Sequence, residues 1–289
     1  MLKIGIVGAE NSHCPGIAKL CNVEKRINCR VASVWGEQRK FAVAAAEKGE
    51  IPTIVRDWHE MLGQVDGIMI DHRHAKFHAE VATFFVENGV PCFVDKPFTF
   101  TLAEGKKLCR LAREKGVAIT SFSTIPIEKD FQEFKKALKG VGPVIHLTTT
   151  GPVDLKSKWG GIFFYGIHQV DAIIEVLGPG IDRVSVRRVG KDGIATLTYK
   201  DGPMVTMWCV QKGPYTFHWS ALGQRGVVDW TFKGGENPHL TGARMFTRMF
   251  RTGKEPIPHE RLLAPIAVLE AMAKALKTGK TVKVPSVAI

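Results

Sequence analysis

Over residues 3–122 the chain alternates short β-rich runs with stretches of helical period, in the order βαβαβαβαβαβ, and this alternation limits the fold more than any other feature. Strands separated each time by a helix pair in parallel, with the helices crossing over the sheet. The strands read as residues 3–7, 30–35, 53–55, 67–70, 91–94 and 118–122. The helices read as 15–20, 38–48, 57–62, 75–87 and 103–115. Asp57 and Thr101 stand where side-chain N-caps belong, and Gly89 and Gly116 follow their helices where a left-handed C-cap is needed.

From about residue 126 the rhythm changes. A helix over 127–138, a strand over 144–149 and a helix over 161–177 are followed by strands at 183–187, 194–199, 205–210, 216–221 and 227–232, with glycine turns at Asp192-Gly193 and Asp201-Gly202. Strands in succession predict a largely antiparallel sheet. Helices over 241–251 and 261–277 and a strand over 282–284 close the chain. The expected architecture is a doubly wound parallel sheet of Rossmann type over residues 1–122, then an α+β domain with a largely antiparallel open sheet over 123–289. Val205, Met207 and Cys209 alternate with Met204 and Trp208, so both faces of that sheet are apolar and one helical layer leaves one of them bare. A homo-oligomer, dimer or tetramer, is expected there.

The apolar fraction of 45% and charged fraction of 24% are those of an ordinary globular protein and exclude a disordered or fibrous chain. No apolar run approaches a membrane span, and the first residues enter a strand rather than a leader, so a cytoplasmic protein without a membrane partner is expected. The net charge of +12 is dispersed, with runs no longer than pairs such as Lys106-Lys107, which suits small anions better than a nucleic acid. The six cysteines form no Cys-x-x-Cys pair and read as reduced packing residues, with no metal site expected.

Gly8 ends the first strand, and Ala9, Glu10, Asn11, Ser12 and His13 lead into a helix. A dinucleotide fingerprint has Gly-x-Gly-x-x-Gly here. Only Gly8 matches, because Glu10 and His13 hold the other two glycine positions. Beyond the second strand, Glu37 suits the ribose hydroxyls of NAD and Arg39 the 2′-phosphate of NADP, leaving both cofactors open. His72, His74 and His13 beside Asp71 suggest a metal or phosphate site, but no further carboxylate or cysteine completes a familiar ligand set. Arg73 and His74 read instead as lining for the cofactor or a substrate anion, and His78 as fixing a helix start.

Asp66-Gly67-Ile68-Met69-Ile70, His78-Ala79-Glu80 and Gly89-Val90-Pro91-Cys92-Phe93-Val94-Asp95-Lys96-Pro97 resemble the glucose-fructose oxidoreductase, inositol dehydrogenase and rhizopine-catabolism (Gfo/Idh/MocA) family, whose fifth strand ends in Glu-Lys-Pro. Gly160-Gly161, Gly166-Ile167-His168 with Asp171, Ala221 to Gly226, and Gly279-Lys280 extend the resemblance along nearly the whole chain. It implies NAD or NADP as cofactor, lined also by Asp71, Asp95 and Lys96, and hydride transfer to or from a sugar, polyol or related hydroxylated small molecule.

The resemblance further implies that Lys96 and His168 are the catalytic residues facing the reacting carbon, with Lys96, Tyr165, His168 and Asp171 toward substrate. The family's catalytic aspartate falls on Phe164, which leaves His168 without a carboxylate one turn earlier. With Glu10 and His13, Phe164 supports a second reading, a ligand-binding or regulatory relative that has lost hydride transfer.

Overall fold

In the computed structural model, which describes residues 1–289, six short strands build the first sheet: β1 (Leu2–Val7), β2 (Cys29–Trp35), β3 (Thr53–Ile54), β4 (Gly67–Ile70), β5 (Cys92–Val94) and β6 (Ile119–Thr120). Their order is β3-β2-β1-β4-β5-β6, and every pairing is parallel. All residues of β4 and β5 are buried, as central parallel strands require, while the edge strands β3 and β6 have only two residues each. Strand order reverses between β1 and β4, which opens a crevice at their carboxyl ends.

The crossover helices are α1 (His13–Ala18), α2 (Arg39–Gly49), α3 (His78–Glu87) and α4 (Leu102–Lys115). Thr101 Oγ1 accepts the Glu104 amide at 3.2 Å and the Glu104 carboxylate accepts the Thr101 amide at 3.0 Å, so α4 starts in a capping box. It ends at Gly116, whose φ of +63° a side chain would resist. Two expected helices are shorter than their patterns. Residues Trp58–Met61 form one 3-10 turn capped by Asp57, and Ala75–Phe77 form another ahead of α3. The first helix instead runs on, α1 widening into a π-helical turn at Lys19–Val23.

The second sheet carries α5 (Lys129–Val141), β7 (Val144–Pro152), α6 (Phe163–Leu177), β8 (Ile181–Val189), β9 (Asp192–Tyr199), β10 (Met204–Val210), β11 (His218–Gly223) and β12 (Gly226–Thr231). After α7 (Leu240–Thr252) and α8 (His259–Thr278), β13 (Val282–Lys283) joins its edge. The order is β12-β11-β7-β10-β9-β8-β13, antiparallel except where β7 lies parallel to β10. Gln169 ties α6 to this sheet: its Oε1 accepts from Thr149 Oγ1 at 2.6 Å and its Nε2 donates to Trp208 O at 3.0 Å. Val205, Met207 and Cys209 are fully buried, whereas Met204 and Trp208 on the opposite face are 48% and 45% exposed.

Two compact units emerge, Met1–Phe122 with Asn237–Leu262 and Ile289, and Ser123–Glu236 with Leu263–Ala288. Residues 237–262, expected within the second domain, cluster with the first unit. There Phe246 of α7 stacks on Phe93 of β5 at 4.5 Å, and Phe250 fills the space beside Gly67. No helix is long and apolar enough to cross a membrane.

Candidate active site

The loop after β1 is held from below and from the side. Gly8 has φ +107°, and a Cβ there would meet the His72 amide nitrogen at 2.6 Å, so only glycine lets β1 and β4 approach this closely. The Ala9 and Glu10 amides donate to Glu37 Oε2 at 3.0 and 3.1 Å. Glu37 Oε1 is buried without a hydrogen-bond partner. A carboxylate fixed at one oxygen and unsatisfied at the other, beyond β2, fits the ribose hydroxyls of a dinucleotide. Arg39, at the start of α2, is exposed, as is Ser12 ahead of α1.

At the carboxyl ends of β4 and β5 lies a connected polar cluster. Asn11 Nδ2 donates to Asp71 Oδ1 at 3.0 Å and to Asp95 Oδ2 at 3.2 Å. His13 Nδ1 lies 3.2 Å from Asp95 Oδ1 and 3.6 Å from Asp71 Oδ1. Lys96 Nζ pairs with Asp95 Oδ2 at 3.2 Å, its side chain only 11% exposed. Burial works against charge on Asp95, but Lys96 and His13 outweigh it and hold the carboxyl well below the usual range. Asp71 goes the other way, raised by burial and then by the Asp95 charge. One of two adjacent buried carboxyls therefore keeps its proton while the other is ionised. The His13, Asp71 and Asp95 ligand atoms lie within 4.8 Å of one another, a set a divalent cation accepts, although Lys96 already places a positive charge on Asp95.

The sequence grouped the histidines after β4, and the structure separates them. His72 is buried beside Trp35 and Phe77, and burial followed by the His78 charge lowers its pKa to about 3. His74 caps the turn at Ala75–Phe77 by accepting the Lys76 amide, next to the half-buried Arg73. His78 bridges the His72 and Pro97 carbonyls at 2.8 and 2.9 Å, so it fixes the helix start. A residue absent from the sequence reading, His239, packs against His13 at 5.1 Å, and burial lowers its pKa to about 4.

In the second unit His168 and Asp171 are buried on α6. Ser123 Oγ lies 2.8 Å from His168 Nδ1, and the Ser123 amide donates to Asp171 Oδ2 at 3.1 Å. Phe164 brings no charge. It packs on Tyr165 at 4.8 Å and Trp159 at 6.4 Å, and Tyr165 continues the ring contacts to His168 at 5.5 Å and Tyr215 at 5.8 Å. The hydroxyl of Ser123, which sequence reasoning missed, is thus a hydrogen-bond neighbour of the His168 ring. Its signal was slight: a serine just past the sixth strand, 45 residues from its partner.

Residues 2–122 match a family model described as an oxidoreductase family with an NAD-binding Rossmann fold. An uncharacterized oxidoreductase of Escherichia coli K12, YhhX, is 33% identical over 134 residues, a match covering 42% of this chain and 39% of that protein. Among solved structures, the fold is similar to that of apo scyllo-inositol dehydrogenase from Lactobacillus casei, with TM-score 0.86, 14% identity and 98% of each chain covered. The same enzyme with bound NAD(H) and scyllo-inositol gives TM-score 0.83 and 15% identity, over 98% of this chain and 99% of that one. Residues 2–122 are therefore an NAD-binding Rossmann domain of the Gfo/Idh/MocA oxidoreductase family.

Proposed function

We propose that this chain is an NAD-dependent oxidoreductase that moves a hydride between the cofactor and an alcohol carbon of a polyol, sugar or related hydroxylated small molecule, in the cytoplasm and as a homo-oligomer. The observation that carries this reading is the Asp95–Lys96 ion pair, nearly buried at the carboxyl end of β5 within an NAD-binding fold. The dehydrogenase crystallised with NAD(H) and scyllo-inositol supports the substrate class.

When bound, the nicotinamide supplies the hydride-accepting centre. The Gly8 to His13 loop, with Arg73 and His74, would line the cofactor, with Asp71 buried behind Asn11 of that loop, and Glu37 would take its ribose hydroxyls. Glu37 favours NAD because a 2′-phosphate would meet its carboxylate, while Arg39 points to solvent as the start of α2. Lys96 Nζ donates to the substrate oxygen and stabilises its charge as the hydroxyl proton leaves. His168 accepts that proton at Nε2, with Nδ1 engaged by Ser123. Tyr165 contributes a ring and a hydroxyl to the substrate side, and Asp171 fixes the segment bearing Ser123.

The test is reduction of NAD and NADP with a panel of inositols, sugars and sugar acids, preceded by calorimetry of cofactor binding. Lys96→Ala and His168→Ala should each lower turnover by about 10²- to 10⁴-fold, the usual loss for an acid–base group, and Phe164→Asp should raise it. No cofactor binding at millimolar concentration, or alanine variants that turn over like the parent, would overturn the assignment.

A further inference from the structure

Two cysteines far from the cluster at Asp95 lie against each other. Cys21, on the π-helical turn after α1, and Cys29, the first residue of β2, have their sulfurs 3.1 Å apart, eight residues apart in the chain. Both are free thiols. They line an open cavity of about 450 Å³ together with Asn22, Lys25, Arg30 and Glu50. Two observations set this place apart from ordinary thiol packing. Lys25 (φ +52°) and Glu50 (φ +48°) are the two non-glycine residues with left-handed backbone, and both face the cavity. Asn22 donates to the Val31 and Gly49 carbonyls at 3.0 Å and accepts the Val31 amide at 2.9 Å, which fixes the turn bearing Cys21 against the strand bearing Cys29.

We propose that Cys21 and Cys29 are a reversible dithiol–disulfide site, oxidised by hydroperoxides that enter this cavity. A disulfide needs a sulfur separation near ~2.05 Å, so the pair closes by about 1 Å of side-chain movement. The first step falls to Cys29. The contact with the Cys21 sulfur lowers its pKa against the opposing effect of burial, and Arg251, whose guanidinium donates to the Asn28 carbonyl next door, lowers it further. Cys21 is pushed up by the same contact and by burial, and it keeps its proton.

The Cys29 thiolate attacks one peroxide oxygen. The O–O bond breaks, Cys29 becomes a sulfenic acid, and the departing hydroxide takes up a proton to leave as water. Cys21 then attacks the sulfenic sulfur, the S–S bond forms, and the displaced hydroxide leaves as a second water with the Cys21 proton. Two thiols are oxidised by two electrons and one peroxide is reduced. Burial also raises the thiol pKa of Cys14, Cys92, Cys109 and Cys209, and none of these four lines the cavity.

The experiment uses the full chain, reduced and then exposed to stoichiometric hydrogen peroxide. After alkylation of remaining thiols in denaturant, tryptic peptides are mapped by mass spectrometry. The expected result is the peptide of residues 20–25 joined to that of residues 27–30, released by dithiothreitol, while the other four cysteines are recovered alkylated. In Cys21→Ser the Cys29 sulfenic acid should persist and be trapped by dimedone, and Cys29→Ser should leave Cys21 unoxidised. Absence of the joined peptide in the parent, or its appearance no faster than oxidation of the other four cysteines, would overturn the proposal whether or not the variants fold.

Discussion

Nδ1 of His168 lies 2.8 Å from Oγ of Ser123, within hydrogen-bond reach of a neutral hydroxyl. With Nδ1–H given to that oxygen, Nε2 is left with the lone pair a base needs. A hydroxyl supports the protonated ring far less than an ionised acid does. Ser123→Ala should lower kcat by about tenfold, the equivalent of one net hydrogen bond. It should also move the acid limb of the kcat/KM profile to lower pH, because the imidazolium loses an acceptor. Ser123→Thr should restore both. A pH profile identical to the parent's would reduce Ser123 to a packing residue.

Glu37 should set the cofactor preference. Its Oε2 is already bound by the Ala9 and Glu10 amides, and only its buried Oε1 is free to accept. Glu37→Gln keeps the shape and removes the charge, so affinity for NAD should fall about ten- to a hundredfold, as for a charged hydrogen bond, while NADP should lose less. Calorimetry with both cofactors decides it, and an unchanged preference would contradict the assignment.

The carboxyl pair makes stability depend on pH in opposite senses. Asp71 binds its proton in the folded chain at a pH where the unfolded chain has released it, so it removes stability as pH rises above the ordinary carboxylate range. Asp95 is depressed, and its contribution is present above that range and lost as pH falls toward its lowered folded value. Asp71→Asn keeps an acceptor for Asn11 and removes the first effect. The variant should melt higher than the parent at pH 8 and match it near pH 4. Thermal melts at the two pH values check this, and equal shifts at both would show that the charge is not responsible.

The bare face of the second sheet should join two copies. Across neighbouring strands Val227 lies opposite Leu222, Leu222 opposite His146, and His146 opposite Met204, a largely apolar row in which all but the half-buried His146 are exposed. Trp208→Asp or Met204→Lys should convert an assembled parent to monomer in light scattering, with cofactor binding intact. A parent that is itself monomeric at high concentration would refute the idea.

What the sequence conveyed was local. β4 was readable to the residue from its apolar run, and α4 from Thr101 and Gly116, because strand burial and helix capping are decided within a few positions. The position of β7 between β11 and β10 was not readable, since it depends on which strands return beside it after α6. The same limit explains the site. Glycine 8 and the Asp95-Lys96-Pro97 run announced themselves, but the Ser123–His168 and Cys21–Cys29 contacts join residues whose separation carries no periodic signal.

The stacking of Phe246 on Phe93 and the seat of Phe250 beside Gly67 bear on how the chain is made. Synthesis delivers the whole parallel sheet by residue 122, yet α7, which covers part of β4 and β5, emerges only after the second sheet has been threaded out. Until then the nascent Rossmann unit exposes Phe93 and the Gly67 surface to whatever waits at the ribosome exit. Its maturation is thus timed by the C-terminal quarter of the chain, and a ribosome stalled before α7 holds a nucleotide fold with an unfinished core.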